Sequence, residues 1–139
     1  MIDAGYGPEM RTDAQALGDD AESAVASELA ARGWTILARQ VRVGRGELDL
    51  VAVDPGPPHT LVVVEVRWRR SRAFGLAEET MDHRKRTHLR VAIGHLLEDG
   101  LPDGARLPNL PIRVDLFVVE PGAGMAPSVR LRHHRAIEL

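Results

Sequence analysis

The chain has 139 residues, of which 44% are hydrophobic and 27% are charged, a composition typical of one globular domain with its own core. It contains no cysteine, which excludes disulfides and thiolate metal sites and leaves carboxylates or histidines for any metal chemistry. The net charge of −2 conceals a basic middle: residues 31–90 hold twelve bases and seven acids, whereas residues 1–30 hold one base and seven acids. Such a segment either faces phosphates or forms a solvated surface.

The first twenty residues are acidic, and no long apolar run follows anywhere in the chain. This pattern predicts no secretion signal and no membrane span, so we expect a cytoplasmic protein. Residues 1–13 contain Gly5, Gly7 and Pro8, which predicts a loose leader. Residues 14–139 show neither repeats nor a linker, and they are predicted to form a single domain.

The first half of the domain is predicted to be one helix followed by three strands. Apolar residues recur at helical spacing from Leu17 to Arg32, and Gly33 follows where the helix should end. Alternating or continuous apolar patterns then predict strands over Thr35–Val43, Glu47–Val53 and Thr60–Trp68. The connections between these strands are short, which predicts antiparallel pairing.

The second half is predicted to contain another helix and one or two strands. Helical spacing returns from about Thr80 to Leu97, Ile112–Glu120 is a predicted strand, and Ser128–Arg132 is a short fifth one. The third strand is apolar on both faces at residues 61–64, so it should be central and covered on each side. The order αβββαβ(β) predicts an α/β fold with a mixed sheet flanked by helices.

Carboxylates interrupt two neighbouring apolar strands. Residues two apart on a strand share a face, so Glu47 and Asp49 are expected to point one way from the second strand. By the same rule Glu65 and Arg67 share a face of the third strand. The opposite side is expected to carry Leu48, Leu50, Val64 and Val66.

Asp49 and Glu65 lie at comparable distances from the turn at residues 54–58, so strand pairing should bring them close together. Buried carboxylates need a positive partner, which here is either Arg67 or a bound Mg²⁺. Glu22 lies along the edge of the apolar stripe of the first helix and is a third candidate ligand. Oxygen ligands of this kind suit Mg²⁺ or Mn²⁺, whereas an ion bridge between Glu65 and an arginine is the structural alternative.

Several segments of the chain, considered together, resemble the YraN family of bacterial proteins. The residues that carry the resemblance run in order along the chain: Ala21-Glu22, Arg32-Gly33-Trp34, Gly46-Glu47-Leu48-Asp49-Leu50-Val51-Ala52, Val64-Glu65-Val66-Arg67-Trp68-Arg69, Phe74-Gly75, Arg84-Lys85, Arg113-Val114-Asp115 and His133-His134-Arg135-Ala136. That family is similar to archaeal Holliday-junction resolvases and is placed by this likeness in the PD-(D/E)xK superfamily. The resemblance implies a restriction-endonuclease-like fold, with four to five strands in the sheet, and a metal site at Glu22, Asp49 and Glu65.

One residue departs from the family pattern, which has lysine where this chain has Arg67. That lysine is thought to orient the attacking water and to stabilise the transition state. Arginine keeps the charge but does not lose a proton, and its planar guanidinium would place a water differently. Lys85 could reach over from the second helix, although it matches a family position of its own.

The leading hypothesis is a Mg²⁺- or Mn²⁺-dependent DNA endonuclease, with Glu22, Asp49 and Glu65 as ligands and Arg67 holding the phosphate or water. Branched or damaged DNA is the expected substrate class. Phosphate contacts are predicted for Arg42, Arg45, Arg69, Arg70, Arg72 and Lys85. The alternatives are a nucleic-acid-binding module without turnover and a protein-interaction domain, and the sequence leaves a homodimer open.

Overall fold

The computed structural model describes residues 13–69, 81–122 and 128–139. Two helices and five strands follow in chain order: α1 (Asp13–Ala31), β1 (Thr35–Val43), β2 (Gly46–Asp54), β3 (Thr60–Trp68), α2 (His83–Asp99), β4 (Ile112–Pro121) and β5 (Val129–His134). Among these residues no helix is both long and apolar enough to cross a membrane.

The five strands form one mixed sheet in the order β1-β2-β3-β4-β5. The β3 and β4 strands are parallel and are joined through α2, whereas the other three neighbouring pairs are antiparallel. The α/β architecture with a mixed sheet and the predicted element order are therefore confirmed. The apolar run of β3 is buried from Leu61 to Val64, as expected of a central strand.

The helices cover opposite faces of the sheet. On one face α1 contributes Ala21, Val25 and Leu29, which pack in a cluster with alternate residues of the central strands. On the other face α2 contributes Leu89, Ala92, Ile93 and Leu96 to a second cluster. The result is three layers, in which each helix buries one apolar stripe.

Several boundaries differ from the sequence predictions, by most at the starts of the two helices. Helix α1 begins at Asp13 rather than Leu17, so the predicted leader overlaps it by one residue, and residues 1–12 lie outside the described part. Helix α2 begins at His83 because Asp82 caps it by accepting a hydrogen bond from the Lys85 N–H at 2.9 Å. Strand β5 extends to His134, since its pairing with β4 continues to that residue.

Candidate metal centre

The site lies where β2 and β3 stop pairing. Their regular register runs from Asp54 opposite Thr60 to Leu50 opposite Val64, and it does not include the next two residues, Asp49 and Glu65. Instead, the Asp49 carboxylate accepts a hydrogen bond from the Val66 N–H at 2.8 Å. The Asp49 carboxylate thus accepts the bond that a backbone carbonyl would accept in a regular strand pair. This bond holds the side chain of Asp49 between β2 and β3.

The predicted alternation of side chains along β2 is wrong at this point. Leu48 packs in the cluster under α2, whereas Leu50 packs in the cluster under α1, although residues two apart should share a face. The facing residue of β1 is irregular as well, because Gln40 has a φ of 50°, which is uncommon for a residue other than glycine. Val64 and Val66 do pack together on the α1 side, as predicted.

Glu65 is almost entirely buried, with 3% of its surface exposed. Its Oε1 atom lies 2.9 Å from the Lys85 Nζ, and its Oε2 atom is buried without any hydrogen-bond partner. The cation beside Glu65 is therefore the lysine of α2. Arg67 directs its Nη2 towards the Met81 sulfur at 3.8 Å, so the structure does not bring its guanidinium onto Glu65.

Glu22 is also buried, at the edge of the inward stripe of α1, as predicted. It pairs with Arg39 of β1 across 3.3 Å. Burial raises the pKa of Glu22 above its usual value, and the bond to Arg39 opposes that rise. Sequence reasoning missed Arg39 as the partner of Glu22, because nothing local in β1 indicates which arginine meets the helix.

The three carboxylates influence one another electrostatically. The pKa of Asp49 is raised to about 7, first by burial and then by the negative charges of Glu65 and Glu22, while the Val66 bond and Lys85 lower it. Among the described residues, however, no three carboxylates or imidazoles are grouped closely enough to hold an ion together. Arg39, the Val66 N–H and Lys85 each hold one member of the set.

The predicted phosphate-binding residues that the structure describes divide into three groups. Arg42 and Arg45 are exposed near the β1–β2 turn, where Arg42 lies 3.8 Å from Glu47. Lys85 is partly exposed and shares with Arg45, Glu47 and His88 the lining of a cavity of about 420 Å³. Arg69 is half-buried, and its backbone N–H donates to the Val119 carbonyl of β4. Arg70 and Arg72 lie outside the described residues.

Another buried acid, Asp115 of β4, belongs to a different part of the molecule. Its carboxylate accepts hydrogen bonds from Arg113 at 2.8 and 2.9 Å and from the Ala136 N–H at 3.0 Å. His133 contacts the same carboxylate at 2.8 Å and stacks on Phe117. The sequence predicted no role for His133, and the structure shows that it ties β5 to β4.

The fold and this acidic centre together define an α/β protein with one buried and one partly buried carboxylate, Glu65 and Asp49, at the point where two strands stop pairing. The model of Uncharacterised protein family UPF0102 matches residues 21–119, and the chain belongs to that family, which is the YraN family that the sequence resembles. A UPF0102 protein of Roseiflexus castenholzii is 39% identical over 84% of this chain and 88% of its own. UPF0102 protein STH1475 of Symbiobacterium thermophilum is 40% identical over the same shares.

Among solved structures, the chain is similar to SfsA of Pyrococcus furiosus, which was determined in complex with Ca²⁺. The TM-score is 0.40 and the identity 18%, over 91% of this chain and 66% of that one. A likeness this weak does not identify the site of the present chain.

Proposed function

We propose that the protein is a nuclease that hydrolyses phosphodiester bonds in DNA with a divalent metal, Mg²⁺ or Mn²⁺, bound at Asp49 and Glu65. The observation that carries the proposal is a surplus of buried negative charge. Glu65 has a buried oxygen without a partner, and its neighbour Asp49 has a pKa raised to about 7. A fold keeps such an arrangement at a cost in stability, and a bound cation would offset that cost.

The residues present fit Mg²⁺ as a ligand set. This ion binds proteins through one or two carboxylates and keeps several waters, so it does not require three protein groups already gathered around it. Asp49 and Glu65 are the two carboxylates, and Glu22 is a third ligand once Arg39 releases it. When bound, such an ion activates water and neutralises charge on a phosphodiester.

The reaction is a hydrolysis in which the oxygen of water forms a bond to phosphorus and the bond from phosphorus to one sugar oxygen breaks. One proton of the water ends on the released sugar oxygen, and the hydroxyl remains on the phosphate. The chain contributes position: the Val66 N–H fixes Asp49 at 2.8 Å, and Lys85 fixes Glu65 at 2.9 Å. Fixed groups of this kind lower the barrier because they need no reorganisation during the reaction.

The start of α2 supports a phosphate-containing substrate. Its first turn carries His83, Arg84, Lys85 and Arg86 and no acid, although the positive end of a helix dipole favours acids. Asp82 caps this end of the helix, and the exposed bases beside it, Arg84 and Arg86, would attract DNA phosphates. Arg42 and Arg45 would extend the contact along the β1–β2 turn, and branched or damaged DNA is the class that the family resemblance favours.

The direct test is cleavage of labelled linear, flapped and four-way DNA in Mg²⁺ and in Mn²⁺. We expect cleavage of at least one substrate, its loss in chelator, and a drop of about 10²-fold or more in Asp49→Asn and Glu65→Gln. Glu47→Gln is the matched control, because Glu47 is an exposed carboxylate two residues from Asp49. Equal cleavage by all four proteins would assign the activity to a contaminant.

A DNA-binding module without turnover is the second candidate. The observation in its favour is the ion pair between Lys85 and Glu65, which already neutralises one carboxylate of the site. Binding of the same substrates without cleavage in either metal would select this candidate. Absence of both metal binding and DNA binding would leave the interaction domain.

A further inference from the structure

Lys85 lies between the buried carboxylates and the surface. Its ammonium contacts Glu65 at 2.9 Å, yet 30% of its side chain is exposed. The same side chain lines the cavity of about 420 Å³ beside Arg45 and His88. A group in this position can contact both a ligand of the metal and a phosphate that enters from the cavity.

The composition of the chain gives a second, independent indication. The sequence contains seventeen arginines and one lysine, and that lysine is Lys85. In a chain that uses arginine almost everywhere for positive charge, the single ammonium lies on a buried carboxylate of the candidate centre. Ammonium and guanidinium differ in size and in hydrogen-bond geometry, so Lys85 gives the candidate centre a compact donor that none of the arginines could reproduce.

The start of helix α2 fixes the lysine in place. Lys85 is the third residue of α2, and its N–H donates to the capping side chain of Asp82 at 2.9 Å. Leu89, one turn further along the helix, is buried in the core, so α2 cannot rotate without disturbing packing. The ammonium is therefore held in position before any substrate binds.

We propose that Lys85, and not Arg67, supplies the positive group that holds the attacking water and an oxygen of the scissile phosphate. The inference rests on the proposed function and names a catalytic residue for it. Arg67 follows Glu65 by two residues, where the family pattern has lysine, but its guanidinium is directed to the Met81 sulfur. The ammonium thus reaches the centre from the helix rather than from the strand.

The alternative is that Lys85 only neutralises the negative charge of Glu65. Lys85→Arg separates the two roles, because a guanidinium still neutralises a carboxylate but does not reproduce a compact donor. We expect the single-turnover cleavage rate of Lys85→Arg to fall by about 10²-fold. Arg106→Ala is the matched control, since it removes an exposed positive charge from the loop between α2 and β4 and should leave that rate unchanged.

Chemical rescue tests the ammonium itself. The chain has no cysteine, so Lys85→Cys carries a single thiol that 2-bromoethylamine converts into a close analogue of lysine. We expect Lys85→Cys to be as impaired as Lys85→Arg, and alkylation to restore most of the rate. Iodoacetamide, which adds a neutral amide at the same sulfur, should restore none.

Metal affinity gives a measurement that does not depend on turnover. Calorimetric titration of Lys85→Met with Mn²⁺ should show binding several-fold tighter than that of the parent, because the ammonium no longer competes for Glu65. Tighter binding together with lost cleavage supports the catalytic assignment. Weaker Mn²⁺ binding in Lys85→Met would overturn it and make Lys85 a structural support of the site.

The outcomes also separate this inference from the proposed function. Full activity of Lys85→Arg in a parent that binds Mn²⁺ and cleaves DNA would overturn the role of Lys85 alone. Failure of aminoethylation to restore a folded Lys85→Cys would do the same. A parent that neither binds Mn²⁺ nor cleaves any substrate would remove the proposed function, and the role of Lys85 with it.

Discussion

Two acidic side chains of this molecule, the buried Asp115 and the partly buried Asp49, differ in the number of positive and hydrogen-bonding partners around them. Asp115 is fully buried, yet hydrogen bonds from His133, Arg113 and Ala136 lower its pKa to about 2 despite the burial. Burial, and after it the negative charges of Glu65 and Glu22, raise the pKa of Asp49 to about 7, although the Val66 N–H and Lys85 oppose the rise. Burial alone therefore does not set the pKa of these carboxylates; the balance of positive and negative neighbours does.

The largest expected effect on stability comes from removing the charge of Asp115. Asp115→Asn should lower the free energy of unfolding by about 3 kcal/mol at pH 7, because it leaves Arg113 and His133 beside an uncharged group. The lowered pKa means that this stability is present above the unfolded-state pKa and is lost as the pH falls towards 2. Urea unfolding at pH 7 measures the change.

Glu28→Gln is the control for that measurement. Glu28 forms an exposed ion pair with Arg32 at 2.8 Å on the surface of α1, with 41% of the glutamate side chain exposed. Such pairs contribute less than about 1 kcal/mol. A loss in Asp115→Asn no larger than the loss in Glu28→Gln would show that the Asp115 network does not stabilise the fold.

Removing the charge of Asp49 should change the free energy of unfolding in the opposite direction. Asp49→Asn is expected to raise the free energy of unfolding by about 2 kcal/mol at pH 8 in the presence of a chelator. A raised carboxyl pKa favours the folded state below the unfolded-state pKa, and that advantage is lost as the pH rises to about 7. The gain from the substitution should therefore grow from pH 4 to pH 7 and then level off.

Thermal or urea unfolding of the parent and of Asp49→Asn at several pH values measures this dependence. Glu47→Gln serves again as the exposed control and should show no comparable gain. Destabilisation by Asp49→Asn at pH 8 would mean that the bond to Val66 outweighs the repulsion. Asp49 would then belong with Asp115 as a structural acid.

A smaller effect, on DNA binding, is expected at Arg45 beside the β1–β2 turn. Arg45→Ala should weaken DNA binding a few-fold and lower the slope of log K against log salt by about 1, because one phosphate contact is lost. Arg106→Ala removes an exposed arginine of the loop between α2 and β4 and should change neither quantity. Equal effects of the two substitutions would show that binding follows overall charge and not this surface.

The local sequence pattern was sufficient to predict the fold. The bounds of β1 and β3 match the prediction because a period of two and clear turn residues leave little choice, and the order of the elements follows from helix spacing. The proximity of Asp49 and Glu65 was also predictable, because equal distances from one turn set the strand register.

Long-range contacts of the site were not predictable. The change of side at Leu48 and Leu50 depends on an irregular strand pair, and no residue type in β2 indicates it. The partner of Glu65 comes from a helix twenty residues further along the chain, which strand periodicity cannot place. The sequence left open that Lys85 reaches over from the second helix, but no pattern in it placed the ammonium on Glu65.

The most direct test of the central claim is a calorimetric titration of the parent protein with Mn²⁺ and Mg²⁺, alongside Glu65→Gln and Glu47→Gln. We expect one saturable site in the parent and in Glu47→Gln, and a loss of affinity of about 10-fold or more in Glu65→Gln, since a neutral amide is a poor ligand for these ions. Undiminished binding in Glu65→Gln, or no saturable binding in the parent, would contradict a metal centre at Asp49 and Glu65.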